Sequence, residues 1–267
     1  LYRRRLRLKE RKGNPISIHL VIPDQHAHYQ FHNKRAEWLG RLINDVKPDT
    51  VINIGDGADM PSLSGYDKGK KSFQGRTYQA DIHAHQDFQA RLWDTVRAAK
   101  KRLPRSIYLV GNHEERIRKA INVQPELEGA IGLHDLELEH WYDTVVPYDG
   151  NTPGIITVDG ISYAHYFTSG VMGKAIGGAN PARALLKAQH TSCTSGHLHL
   201  ADWAVETSAH GKKIMGMFCG VFQDYRSDWA GGSNDLWWRG VIVKRDVHDG
   251  CYDPEFISIE RLKREYS

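Results

Sequence analysis

Three β-branched runs in this chain each stop at a turn-forming residue and then present side chains able to bind a metal. "ISIHLVI" (16–22) leads into "PDQHAH" (23–28), "TVINI" (50–54) into "GDGAD" (55–59), and "SIYLV" (106–110) into "GNHEE" (111–115). Any one of these junctions reads as an ordinary turn, because Gly and Asn tolerate positive φ and a lone Asp after a strand usually serves the turn itself. Three in one chain raise the expectation that several strands deliver such groups to one place.

The segments between them follow helical spacing. Ala36, Leu39, Leu42 and Ile43 share one face of a helix predicted around Asn33 to Asp45, and 77–102 reads as a long helix before Pro104. Residues 60–76 form a polar loop, and a mostly helical stretch runs from the third strand to about Tyr142. The character then changes. "GIITVDGISYAHYF" (154–167) is a hairpin, since Asp159-Gly160 between β-branched runs is a favoured two-residue turn. A helix over 180–190 has Asn180 as N-cap and Pro181 at its first position, and strands follow near 213–222, 237–247 and 255–260. Alternating β and α units followed by a β-rich half predict an α/β fold of two packed sheets with helices outside.

With 267 residues, 40% hydrophobic and 25% charged, the chain can build a full core, and no linker or repeat divides residues 13–267, so one domain is expected there. Cys193, Cys219 and Cys251 lack CxxC spacing and read as small buried residues. No apolar run reaches the roughly 20 residues of a membrane helix, and the N-terminus lacks the apolar stretch of a signal peptide, so a soluble, cytoplasmic protein without a membrane partner is expected. The first residue is Leu rather than Met, which leaves an upstream segment open. Residues 1–12 hold seven Lys or Arg against one Glu, a local charge of +6 that leaves −2 of the net +4 for the rest. That run suits a basic arm drawn to nucleic acid, and equally a solvated terminal helix carrying Leu6 and Leu8.

The candidate ligands are Asp24 and His26, Asp56, Asn112, His165 at the end of the hairpin, and His197 and His199 in "SGHLH" (195–199). In extended chain Asp24 and His26 point to one side, offering a carboxylate and an imidazole together. Carboxylate, amide oxygen and imidazole suit Mn²⁺, Fe or Zn²⁺, whereas a thiolate site would need cysteines. Seven ligands exceed one tetrahedral ion, and two ions sharing a carboxylate would use them. His-x-His is common by chance. The specific feature is the order D-x-H, G-D-x-x-D, G-N-H-E, H, G-H-x-H, with the first three directly after predicted strands.

That order resembles the calcineurin-like metallophosphoesterases over about residues 16–200. The resemblance implies a four-layer αββα sandwich of two mixed sheets flanked by helices, with a dinuclear metal centre at the strand ends. It makes Asp24, His26, Asp56 and His199 the ligands of one metal, and Asp56, Asn112, His165 and His197 those of the other, with Asp56 bridging. His113 would be the catalytic histidine and Asp59 the carboxylate that orients it. Such a site hydrolyses phosphate esters by in-line attack of a metal-bridging hydroxide, with His113 serving the leaving group.

Asp59 is followed by Met60-Pro61 where the related serine/threonine protein phosphatases carry Arg-Gly, which argues against that role. Four weaker candidates for substrate contact are His28, Arg116, Tyr166 and Lys70. Arg116 and Arg118 on a helix more often face solvent or pair with acids, and Tyr166 reads first as core packing. Lys68, Lys70, Lys71 and Arg76, interleaved with Tyr66 and Phe73, suit either a nucleic-acid rim or a solvated loop. "DWAGGSNDLWW" (228–238) reads as a core corner, and His83 and His85 as surface or packing residues. The expected function is a phosphodiesterase or nuclease with two divalent ions, Mn²⁺ first, acting on nucleic acid or nucleotides. The alternatives are a phosphomonoesterase and a non-catalytic nucleic-acid-binding scaffold.

Overall fold

These patterned segments become two six-stranded mixed sheets and six α-helices in a computed structural model that describes residues 6–7 and 16–267. The first half holds β1 (Leu6–Arg7), β2 (Ser17–Ile22), α1 (Lys34–Val46), β3 (Thr50–Asn53), α2 (Tyr78–Ala98), β4 (Arg105–Leu109) and α3 (Glu115–Val123). Next come α4 (Leu138–Trp141), β5 (Thr144–Val146), β6 (Ile156–Val158), β7 (Ile161–Ala164), β8 (Thr168–Ser169), β9 (Lys174–Ala175) and α5 (Pro181–Gln189). Then follow β10 (Cys193–Ser195), β11 (Ala201–Thr207), β12 (Lys213–Cys219), β13 (Gly240–His248), β14 (Cys251–Ser258) and α6 (Ile259–Tyr266).

One sheet runs β14-β13-β2-β3-β4-β5 and the other β1-β6-β7-β10-β12-β11. β2 to β5 are mutually parallel, as are β7, β10 and β12. The central strands read as unbroken apolar runs because both faces are covered. Along β2, Leu20 and Ile22 face the core under α1, α2 and α6, while Val21 between them joins Ile52, Ile107, Ile161 and Met217 in the core between the sheets. Ala182 and Leu185 of α5 cover the far side of the second sheet against Cys193 and Phe218. Each such Leu or Ile, fully buried, contributes about 1.5–3 kcal/mol.

Some segments differ from the sequence expectation. β10 has only three residues, Cys-Thr-Ser, too short and too polar to show a pattern. β11 was unforeseen because it is an edge strand with Trp203 and Val205 exposed beside Asp202 and Glu206. The last strand ends at Ser258, whose side chain accepts from Arg261 N and starts α6 where strand was expected. α5 begins at Pro181 as anticipated, but Asn180 makes no side-chain cap, and Ala182 N donates instead to Asp202 of β11 at 2.9 Å. Most of the basic run 1–12 lies outside the described residues, and Leu6–Arg7 within it pairs in parallel with Ile156–Thr157. Cys193 and Cys219 are buried, whereas Cys251 is partly exposed. No described helix is long and apolar enough to cross a membrane.

Lys244, which is fully buried, interrupts the apolar contact between the sheets. Its ammonium donates to Thr194 Oγ1 and lies 4.7 Å and 4.1 Å from the ring centres of Tyr163 and Tyr252. Burial pulls this lysine down to about 7.

Candidate metal centre

The parallel strands carry the site. β2, β3 and β4 of one sheet and β7 and β10 of the other end just before Asp24/His26, Asp56/Asp59, Asn112/His113, His165 and His197/His199. Pleating does not aim these side chains as the extended-chain reading supposed. His26, Asp56, His197 and His199 have φ of 44°, 50°, 69° and 60°, so the chain kinks through left-handed conformations immediately beyond the strands. Non-glycine residues held there store strain, which is concentrated at this site. Gly111 and Gly196 serve close approach: a Cβ would lie 2.2 Å from Asp56 Oδ1 at Gly111 and 2.4 Å from Asp24 Oδ1 at Gly196.

Two groups result, buried apart from a partly exposed His197, each with candidate ligand atoms within 4.8 Å of one another: Asp24, His26 and His199, and Asp56, His165 and His197. In the first, His199 Nε2 lies 3.2 Å from Asp24 Oδ2 and 3.1 Å from His26 Nε2. Asp24 Oδ1 is buried with no hydrogen-bond partner. In the second, His165 Nδ1–H donates to Ile54 O at 3.0 Å, so Nε2 turns a lone pair toward Asn112 Oδ1 at 2.9 Å and Asp56 Oδ2 at 3.2 Å. Three acceptors converging on one point need a proton or a cation among them. Burial opposes a charge on His165, but Asp56 outweighs it and raises the imidazole to about 9, so without an ion the proton stands there. Burial, reinforced by His165, lowers His197 to about 4 and leaves its lone pair available. Asn112 thus joins the second group, and the donor set fits a hard or borderline divalent ion. Asp56 groups with His165 and His197, and although burial opposes it, its carboxyl is held well below the ordinary range by His165, His113 and His26.

A third cluster, His26, Asp59 and His113, has a different character. His113 Nδ1 lies 2.6 Å from Asp59 O and 3.1 Å from Asp59 Oδ1, so it carries a proton and donates. His26 Nδ1 bonds the same Oδ1 at 3.1 Å, which frees its Nε2 for the first group. Despite burial, these two hydrogen bonds hold the Asp59 carboxyl well below its usual value. One carboxylate oxygen of Asp59 thus bonds both the His26 and the His113 ring. Burial, with the Arg116 guanidinium, lowers His113.

Arg116 is the departure of most consequence. It leaves solvent, donates to Asp59 O at 2.8 Å, and sets Nη2 3.0 Å from His113 Nε2. Tyr166 is half-buried beside His197 and lines a cavity of about 690 Å³ together with Asn112, Arg116 and His197, whereas Phe167 is buried in the core. His28 approaches Asp59 Oδ2 at 3.8 Å and stacks on Tyr29, outside the cavity lining. Lys70 does not line the cavity: its exposed ammonium pairs with Asp67 at 3.5 Å, and Lys68 occupies the wall instead. The 228–238 segment is not a core corner. Trp229 is 64% exposed and Leu236 71%, and Trp237 packs edge-on against His199 at 4.3 Å.

Glu114 was quoted in the motif without a role. Its Oε2 accepts from Asp56 N and Gly111 N, and its Oε1 from Ala58 N and Tyr108 Oη, all at 2.8–3.1 Å. One buried carboxylate thereby clamps the loops after β3 and β4. Glu114 stands at the N-cap of α3 and reaches back three residues to Gly111 N. Tyr225, which donates to His26 O from 199 residues away, left no sequence signal. The sequence matches no protein-family model, and comparison with curated proteins returns no match.

Proposed function

We propose that this chain is a dinuclear metal-dependent phosphodiesterase of the calcineurin-like αββα type, cleaving a phosphodiester of nucleic acid or nucleotides. The observation that carries the reading is the adjacency of two Asp/His groups with a separate, carboxylate-oriented histidine beside them. Asp24, His26 and His199 would hold one ion and Asn112, His165 and His197 the other, with Asp56 shared. Two such ions, Mn²⁺ first and Fe or Zn²⁺ next, would neutralise phosphoryl oxygens and make water nucleophilic at neutral pH.

The chain's own residues supply the rest. Asp59 fixes the His113 ring by its Nδ1 proton and leaves Nε2 facing the site. While Arg116 faces Nε2 the imidazole is a poor base. An anionic ester would draw the guanidinium onto its own oxygens, His113 Nε2 would then take a proton from solvent, and that proton would pass to the departing alkoxide. The cavity beside Asn112 and His197 leaves room for a second ester substituent, which favours a diester.

Arg116 supports a second reading. Arriving from α3 rather than from the position after Asp59, it supplies a phosphate-clamping arginine whose absence argued against a phosphatase. A phosphomonoesterase is therefore the alternative. With Mn²⁺ the protein is expected to hydrolyse bis(p-nitrophenyl) phosphate clearly faster than p-nitrophenyl phosphate. The opposite preference promotes the monoesterase, and inertness toward both in a metal-loaded sample removes the enzymatic reading.

A further inference from the structure

The cavity beside the second group carries side chains, besides Arg116, that the reaction itself does not use. Its lining includes three cationic side chains, Lys68, Arg116 and Lys119, and no carboxylate. Lys68 and Lys119 have no ion-pair partner among the described residues. Three rings, Tyr66, Phe73 and Tyr166, share the same walls, and Tyr66 is 86% exposed at the mouth. The loop presenting Tyr66, Lys68 and Phe73 is tied at its base, where Arg76 donates to Pro61 O at 3.1 Å and Asp67 Oδ2 at 2.7 Å.

We infer that this cavity receives one unpaired nucleotide flanking the scissile phosphodiester, so that the protein selects single-stranded over duplex nucleic acid. The inference rests on the phosphodiesterase reading and names its substrate class. Aromatic rings at the mouth and wall offer a base a flat face, and sequence-tolerant stacking of this kind combined with backbone cations is how single strands are held. A base within a duplex has both faces occupied by its neighbours. About 690 Å³ is also the volume of a small-ligand site, enough for a nucleotide and too small for a double helix. Asn112 and His197 belong to both the cavity wall and the second group, so the base and the scissile phosphate are continuous.

The test is equilibrium binding of a short fluorescent oligonucleotide with cleavage-resistant phosphorothioate linkages to the full chain loaded with Mn²⁺. The single strand is expected to bind at least about tenfold more tightly than its blunt duplex, and an abasic strand to lose most of that advantage. Tyr66→Ala should cost about tenfold on the single strand and much less on the duplex. Lys119→Ala should weaken single-strand binding and reduce its salt slope by about one. Equal affinity for both forms, or equal loss on both in Tyr66→Ala, overturns the inference. Hydrolysis of bis(p-nitrophenyl) phosphate by the same sample separates the two claims. Turnover of this diester alongside equal binding of both strand forms sinks only the single-strand claim, whereas no diester hydrolysis removes the phosphodiesterase reading and this inference with it.

Discussion

His26 Nε2 and His199 Nε2 face each other at 3.1 Å, although residues 26 and 199 come from different sheets. The His26 proton is committed to Asp59, so its Nε2 offers a lone pair to the point that His199 and Asp24 also address. Arrangements of this kind are unfavourable unless a cation or a proton occupies the point between them.

Asp56 is the carboxylate asked to serve both proposed ions. Asp56→Asn should bind less than one ion per chain and lose nearly all activity while remaining folded by circular dichroism. Two ions per chain by elemental analysis of the variant would show that Asp56 does not bridge.

His113 stands outside the two ligand groups, with its Nδ1 on Asp59. His113→Gln should retain its metal yet slow turnover by about 10²–10⁴, most for diesters with poor leaving groups. Equal slowing across leaving groups would argue against proton donation.

Metal affinity should depend on pH through His165. Burial disfavours its charge, but Asp56 raises it to about 9, so the ion-free protein holds a proton there at neutral pH that an incoming ion must expel. Affinity measured by competition with a fluorescent chelator should rise about tenfold per pH unit from pH 7 to about 9. A flat response over that range would exclude His165 from the ligand set.

Lys244 gives a separate pH signature. Burial lowers it from 10.5 to about 7, so between those values the unfolded chain binds a proton that the folded chain does not. Stability from this group therefore rises with pH across that window, by up to about 1.4 kcal/mol per unit, and its full penalty is present below pH 7. Lys244→Met should gain most over the parent near pH 6–7 and lose that advantage toward pH 10, as followed by denaturant unfolding. A stability difference independent of pH from 7 to 10 would mean that folding does not lower the pKa of this lysine.

Much of this site was legible because its candidate ligands sit directly after strands with strong apolar signals. Asp24, Asp56, Asn112 and His165 follow β2, β3, β4 and β7, and all four strands were visible from their β-branched runs. His197 and His199 were found by motif alone, since β10 is three polar or small residues that pack only because the second sheet surrounds them. Tertiary approach hid the remainder. Arg116 reads as one of several helix-surface cations until α3 turns it back onto the chain at Asp59, and Trp237 reaches His199 from 38 positions further along the chain, with no candidate ligand between them. The side-chain directions of His26 and His199 depend on single left-handed residues, which no hydrophobic period records.

Those left-handed residues also set backbone against side chain at the site. His26, Asp56, His197 and His199 each occupy a conformation in which glycine would relieve on the order of 1–3 kcal/mol of strain, against roughly 0.5–1 kcal/mol of added chain entropy. That relief offsets part of the cost of losing the buried contacts of His26, Asp56 and His199, among them the hydrogen bond from His113 N to Asp56 Oδ1. At each of these four positions the backbone favours glycine while the donor set needs an imidazole or a carboxylate, so the two demands oppose each other within one residue.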